Sequence, residues 1–178
     1  MAVSGYNHTA KSLHWLVLVL LVVQFAVAWT MPDIHRDTKP VGLIAWHLGI
    51  GVFILLVMLL RLGWRVVSEA PPAPVGLPPS LRRLSRATHL LLYAILIVLP
   101  LLGWINANAR GWTVWFVGVI PLPALVPSGS TWGGKMGDAH TIVAYVLLGT
   151  VGLHVLGALY HQFVLRDALL RRMLPTRR

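Results

Sequence analysis

Four long apolar runs limit this chain to one kind of fold. They cover about residues 12–31, 41–66, 87–106 and 139–165. A helix needs roughly 20 mostly apolar residues to cross a bilayer, and no run alternates with period two as a membrane barrel requires. Lipid offers no hydrogen-bond partners, so the backbone polar groups of a span must bond to one another. Each run is therefore predicted to be a helix. The sequence predicts an all-α integral membrane four-helix bundle, with one transmembrane domain over residues 1–178.

The composition excludes several other classes of protein. Charged residues make up 11% of the chain and hydrophobic residues 57%, whereas a soluble domain carries about 25% charged residues. A net charge of +10 would suit a nucleic-acid binder, but here the charges lie between apolar runs, so we expect no nucleic-acid partner. The sequence has no cysteine, which excludes disulfides, iron–sulfur clusters, Cys-ligated zinc and covalently attached c-type haem.

The placement of basic residues predicts the orientation in the membrane. One side is expected to hold eleven of the 15 Lys and Arg residues: Lys11, Arg61, Arg65, Arg82, Arg83, Arg86, Arg166, Arg171, Arg172, Arg177 and Arg178. The other side holds four: Arg36, Lys39, Arg110 and Lys135. Since Lys and Arg favour the cytoplasmic side, both termini are predicted to be cytoplasmic, in a multi-pass protein of the bacterial inner membrane that contacts lipid.

The connections between the runs have distinct compositions. Residues 107–138 are predicted to form a periplasmic loop that holds several Trp residues among Pro and Gly. Because Trp favours the headgroup level, we expect this loop to lie on the outer membrane surface, although a plain connector is an open alternative. Residues 68–80 are rich in Pro and predict a short extended cytoplasmic linker. Pro100 is expected to kink the third span.

The first run has a second interpretation as a secretory signal peptide. Lys11 precedes it, and Ala26-Val27-Ala28 resembles a cleavage site. The length of the run and the presence of His14 and Gln24 within it favour a membrane span. Cleavage would remove His14.

Histidines supply the chemistry of the predicted spans. Five of the eight lie in or at the edge of a span: His14, His47, His89, His140 and His154. An ionisable residue within a span is costly and is therefore a functional hypothesis. The last two are 14 residues apart on one helix, which places them about 40° and about 21 Å apart. That spacing suits two haems stacked across the membrane, and it is too long for one small metal ion, which needs ligands at i and i+4.

Each of these two histidines needs a second axial ligand at a similar depth. His47 is close in depth to His140 near the outer ends of their spans, and His14 lies on the same side as His154 near the inner ends. His89 competes for the inner position, and could instead bond a haem propionate or a quinone. The predicted ligand pairs are therefore an outer one of His47 with His140 and an inner one of His14 with His154.

Further polar residues are candidates for contacts around the haems. His161 lies two turns beyond the last span-four ligand and close to the same face, where it could hydrogen-bond and protonate a quinone. The candidate partners of haem propionates are Arg61, Arg82, Arg83 and Arg110.

The chain contains an ordered set of short motifs around these residues: Ser12-Leu13-His14-Trp15, Trp46-His47-Leu48-Gly49, Leu60-Arg61-Leu62, Thr88-His89, Asn108-Ala109-Arg110-Gly111, Ala139-His140, Gly152-Leu153-His154, Tyr160-His161 and Leu170-Arg171-Arg172-Met173-Leu174-Pro175. Over nearly the whole chain this set resembles the bacterial cytochrome b561 family, whose members are four-helix dihaem b-type membrane cytochromes.

The resemblance implies two haem b groups with bis-His ligation, one on His14 and His154 and the other on His47 and His140. It also implies an association with quinone, and some members are described as superoxide oxidases that reduce ubiquinone. Their quinone site includes the counterpart of His161 and a Lys in the linker between spans two and three. That linker has no Lys in this chain, and the nearby Arg82 and Arg83 are the candidate quinone contacts in its place.

Three functions fit these features. The leading one is electron transfer across the inner membrane between a small periplasmic donor, with superoxide as one candidate, and ubiquinone. The second is a haem-bearing membrane-anchor subunit of a larger oxidoreductase, such as a hydrogenase or a formate dehydrogenase, which adds a partner protein subunit. The third is a small metal or proton transporter, which predicts carboxylates within the spans. All five acidic residues lie outside the spans or at their edges.

Overall fold

Four long helices make up most of the protein. The structure is a computed structural model that describes residues 5–69, 71, 78–167 and 169–174. The helices are α1 (His8–Thr30), α2 (Leu43–Val67), α3 (Pro79–Ala109) and α4 (Thr131–Tyr160). Each of them is long and apolar enough to cross a membrane. The prediction of an all-α bundle with four membrane-spanning helices is therefore confirmed.

The helices pack in chain order around a central apolar layer. Closest packing joins α1 to α2, α2 to α3 and α3 to α4. The buried layer contains Val17, Ile54, Val57, Met58, Ile95, Leu96 and Leu147. Outward-facing Leu and Val side chains, such as Val22 and Leu90, are exposed in the bundle. Lipid is the cover that such an apolar surface requires, because water would make its exposure costly.

Both ends of the described chain meet at one end of the bundle. The indole Nε1–H of Trp15 donates to the carbonyl of Met173 at 2.9 Å, and the backbone N–H of Tyr6 donates to the carbonyl of Arg172 at 3.2 Å. We call this end, where α1 and α3 begin, the inner end, and the opposite one the outer end. The cytoplasmic location of the inner end stays a prediction. Residues 70, 72–77 and 175–178, which include most of the predicted Pro-rich linker, lie outside the described residues.

The helices extend beyond the apolar runs that predicted them. α1 begins before residue 12 because the side chain of Asn7 accepts a hydrogen bond from the N–H of Ala10 at 2.9 Å. α4 begins before residue 139 because Ser130 caps it in the same way, accepting from the N–H of Gly133 at 3.2 Å. Caps satisfy the first orphan N–H groups of a helix, so they carry it into polar sequence that hydropathy leaves out.

The connection from α3 to α4 is an ordered structure. It contains a short antiparallel hairpin of β1 (Trp115–Phe116) and β2 (Ile120–Pro121). Asn108 fixes this connection to the bundle, because its Oδ1 accepts from the N–H of Leu125 at 2.8 Å and its Nδ2 donates to the carbonyl of Trp112 at 3.1 Å. The connection therefore covers the outer end of the helices. Its contact with the membrane surface stays a prediction.

Candidate functional site

Two facing pairs of histidines lie at different heights in the bundle. The ring centroids of His47 on α2 and His140 on α4 are 6.0 Å apart, with an interplanar angle of 75°. Those of His14 on α1 and His154 on α4 are 6.2 Å apart, at 64°. α4 contributes to both pairs because four helical turns bring its two histidines back to nearly the same face.

The two separations suit a pair of imidazoles on opposite sides of one metal atom. An imidazole nitrogen bonds a transition metal at about 2.0–2.1 Å, and the ring centroid lies about 1.1 Å farther away, so two coaxial rings have centroids about 6.3 Å apart. Across the residues that the structure describes, no group of three or more His, Cys, Asp or Glu side chains could hold a metal ion. Two protein ligands per site suit haem, because a porphyrin supplies the other donors.

The outer pair is oriented by α3. The Nδ1–H of His140 donates to the carbonyl of Leu99 at 3.0 Å, which leaves Nε2 with its lone pair free for a metal. A Cβ atom at Gly103 would lie only 3.1 Å from ring atoms of His140. The close approach of this imidazole to α3 therefore favours a glycine at position 103.

A cavity of about 240 Å³ adjoins the outer pair. Residues from all four helices line it, and three of their buried polar atoms have no hydrogen-bond partner within the described part of the chain: Gln24 Oε1, His47 Nδ1 and Trp104 Nε1. A buried polar atom without a partner costs about 1–3 kcal/mol, so three around one cavity indicate a bound group with polar atoms of its own. Haem fits this description, because it combines a metal and two carboxylates with a large apolar ring.

Gln24 is the polar residue of α1 at the outer pair. Its Nε2 donates to the backbone carbonyl of His47 at 3.0 Å and lies 3.4 Å from His47 Nε2. The amide therefore joins α1 to the turn of α2 that carries the outer histidine. Sequence reasoning noted Gln24 only as unusual within an apolar run, and it missed Trp104 and Gly103 altogether. The sequence does mark Gln24, because a polar side chain in the middle of an apolar span is unusual and indicates a function.

The inner pair has a third histidine beside it. The ring centroid of His89 on α3 is 5.0 Å from that of His154, at 87°, and its Nδ1–H donates to the carbonyl of Ser85 at 2.6 Å. This separation is shorter than the spacing of two coaxial ligands, whereas that of His14 and His154 is close to it. The geometry thus favours His14 as the partner of His154 and places His89 at the side of the pair.

Arginines are distributed between the two ends. Arg61, on α2 near the inner pair, donates from Nη1 to the carbonyl of Ala10 at 3.1 Å and lies 5.9 Å from the ring of Tyr93. Arg110, at the outer end, donates from Nε to Asn106 Oδ1 at 3.3 Å and lies 5.6 Å from the ring of Trp112.

The predicted quinone contacts are separate in the structure. His161 begins a π-helical turn, His161–Leu165, at the inner end of α4, and its Nδ1 lies 2.5 Å from Asp167 Oδ2. Arg82 and Arg83 are exposed on the first turn of α3, and neither contacts His161 among the described residues. Sequence reasoning placed Asp167 outside the spans and gave it no role.

Four membrane-spanning helices with facing histidine pairs define a class: the b-type membrane cytochromes, in which imidazoles hold haem within a helical bundle. Comparison with known families gives the particular one. A family model described as prokaryotic cytochrome b561 matches residues 5–176, and the chain belongs to this family. It is therefore a multi-pass bacterial membrane protein that functions in electron transfer. Membership of this family implies that it binds haem b.

Curated relatives agree with the family over nearly their full length. The chain is 28% identical over 177 residues to the probable superoxide oxidase CybB of Yersinia pestis, covering 97% of each chain. It is 28% identical over 171 residues to cytochrome b561 homolog 2 of Escherichia coli, covering 95% of this chain and 90% of the relative. It is 26% identical over 181 residues to cytochrome b562 of Cereibacter sphaeroides, covering 97% of each.

Proposed function

We propose that this protein is a dihaem cytochrome that transfers electrons across the bacterial inner membrane to ubiquinone. The observation that carries the proposal is that α4 presents His140 and His154 at two heights, each opposite a histidine of another helix at about 6 Å. One haem b is held by His47 and His140 at the outer end, and the other by His14 and His154 at the inner end.

Haem b, when bound, supplies a one-electron iron couple. With a histidine pair as its protein ligands, such a haem would favour electron transfer over oxygen binding. At the outer site Leu99 fixes the tautomer of His140 through its carbonyl, and the buried N–H of Trp104 could donate to a carboxylate of the haem. The largely apolar lining of the cavity would suit the macrocycle.

Quinone reduction is assigned to the inner end. His161 lies beyond His154 on the same helix, and its Nε2 has no hydrogen bond within the described residues. This nitrogen can therefore donate to a quinone oxygen. Arg82 and Arg83 lie at the start of α3, where they can attract the reduced oxygen. His89, at the side of the inner pair, is a candidate contact of a haem carboxylate or of the quinone.

The donor is assigned to the outer end. One relative of this chain is named a probable superoxide oxidase, and we propose superoxide as the periplasmic donor here as well. Because His47 and His140 would both bind the iron of an outer haem, superoxide would give up its electron at the haem edge without binding iron. Arg110 lies at that end of α3 and adds positive charge for an anion.

The first test is a haem count. The detergent-purified chain is expected to contain two b-type haems per polypeptide, measured by pyridine haemochrome and by a reduced-minus-oxidised spectrum. The pre-reduced protein is then mixed with a short-chain ubiquinone, and oxidation of its haems is followed optically. One haem per chain would contradict the dihaem proposal, and haems that stay reduced in excess quinone would contradict the quinone proposal.

A further inference from the structure

Asp167 contacts His161 at the inner end of the bundle. The Nδ1–H of His161 donates to Asp167 Oδ2 at 2.5 Å, and the two side chains are 12% and 21% exposed. The other carboxylate oxygen, Oδ1, accepts the backbone N–H of Leu169 at 3.0 Å. The carboxylate is thus held from both sides, and its orientation toward the imidazole is fixed.

The backbone brings this pair together by a sharp reversal. The π-helical turn His161–Leu165 ends at Arg166, whose φ of 52° and ψ of 34° lie in the left-handed region. A non-glycine residue rarely adopts this conformation. The reversal returns the next residue toward the start of the turn, where the N–H of Asp167 donates to the carbonyl of His161 at 3.4 Å.

The choice of partner is informative because arginines lie close to Asp167 in the sequence. Arg166 precedes it and Arg171 follows in the same segment, and both line a cavity at this end of the chain. An aspartate that served only to neutralise positive charge would pair with an arginine, which binds carboxylates in a bidentate geometry. Asp167 instead bonds a histidine, so its effect falls on an imidazole.

The chain segment after the reversal folds back over α1. Trp15, the neighbour of His14, donates its indole N–H to the carbonyl of Met173 at 2.9 Å. The segment that carries Asp167 is therefore attached to the turn of α1 that carries a proposed ligand of the inner haem. The His161–Asp167 pair and the inner histidines consequently lie at the same end of the bundle.

We propose that Asp167 is a positioning residue for His161, and that the two form the proton-donating pair of the inner quinone site. This inference rests on the proposed function. An aspartate on Nδ1–H fixes the orientation of the ring and leaves Nε2 as the reacting nitrogen. Nε2 carries no hydrogen bond within the described residues, so its proton is available to a quinone oxygen.

The proposed reduction of a quinone to the quinol takes two electrons and two protons. Haem b, when bound, would supply the electrons one at a time. His161 Nε2 would give one proton to a quinone oxygen, the N–H bond breaking as the O–H bond forms, and water on the inner side would replace this proton on the imidazole. Water on the inner side would supply the second proton to the other quinone oxygen.

The test compares Asp167→Asn with His161→Ala in the haem-loaded protein. The asparagine keeps an oxygen for the N–H of Leu169 but turns an N–H toward His161, so the hydrogen bond that orients the imidazole is lost. The pre-reduced variant is mixed with a short-chain ubiquinone, and haem oxidation is followed over a range of quinone concentrations. We expect the limiting rate to fall by about 10²-fold, the lower part of the range for a general acid. The half-saturating quinone concentration and the haem spectrum should stay unchanged.

Two further variants control for charge and for folding. Asp167→Glu keeps the carboxylate and should recover part of the limiting rate. Glu69→Gln removes the other acidic residue on the cytoplasmic side predicted from the sequence, and it should leave the rate unchanged, since Glu69 has no contact with His161 among the described residues.

The outcomes separate the two proposals. An Asp167→Asn protein with the wild-type limiting rate would overturn the role of Asp167 while leaving quinone reduction intact. A loss of haem in Asp167→Asn would overturn it too, because it would show a purely structural role. If His161→Ala also reduces quinone at the wild-type rate, then the assigned quinone site itself is wrong.

Discussion

The outer and inner histidine pairs have nearly the same ring separation and very different surroundings. The outer pair adjoins a cavity lined by all four helices, with His140 held against α3 by Leu99 and Gly103. The inner pair has a third imidazole, His89, beside it. The segment that contains Met173 folds back onto Trp15, the neighbour of His14. The difference means that one outer imidazole is fixed by contacts with α3, whereas at the inner pair two histidines, His14 and His89, lie close enough to His154 to be its partner.

The largest expected effect separates the two pairs directly. His140→Ala should remove the outer haem, because its iron would lose one of two axial ligands, and should leave the inner one. Pyridine haemochrome should then give half of the wild-type haem per chain, with the fold retained by circular dichroism. His35→Ala is the matched control, since His35 is exposed in the connection between α1 and α2. Full haem content in His140→Ala would break the outer pairing.

At the inner pair the same measurement decides between two neighbours of His154. His14→Ala should remove one haem, because His14 has the ring separation of a coaxial ligand, whereas His89→Ala should keep both haems and alter only the inner haem spectrum. The opposite result, with haem lost from the His89 variant alone, would make His89 the ligand. The inner ligand pair would then be His89 and His154.

A smaller effect is expected from Gly103→Ala, which tests how closely the outer site is shaped. The added methyl would meet the His140 ring at 3.1 Å and push the imidazole away from the carbonyl of Leu99. Loss of such support for a ligand typically costs about 10–100-fold in metal affinity, so the outer haem should dissociate more readily during dilution with a haem acceptor. Gly63→Ala is the control, because a methyl there would meet nothing within 4 Å. Equal retention of haem by both variants would contradict the tight fit.

The same residues show which features of the site the sequence predicts and which it does not. Spacing on one helix was enough to place His140 and His154 on one face, and apolar length was enough to predict four spans. Gly103 and Leu99 could not be predicted, because their contact with His140 depends on how α3 is rotated and shifted against α4. Asp167 was missed for a related reason. Its approach to His161 depends on a left-handed residue, Arg166, that no local pattern marks.

The smallest predicted effect is a change in thermal stability on substitution of Trp104. The sign of this change is the informative result. Among the described residues the buried indole N–H of Trp104 has no hydrogen-bond partner, so without haem Trp104→Phe should stabilise the protein by about 1 kcal/mol by removing an unsatisfied donor. If a haem carboxylate accepts this N–H, the same substitution should destabilise the haem-loaded protein by a similar amount. Melting temperatures of both forms in detergent measure the two shifts, with the exposed Trp132→Phe as control. Shifts of the same sign in the two forms would mean that Trp104 does not bind the group in the outer cavity, and that the polar atoms around it are satisfied in another way.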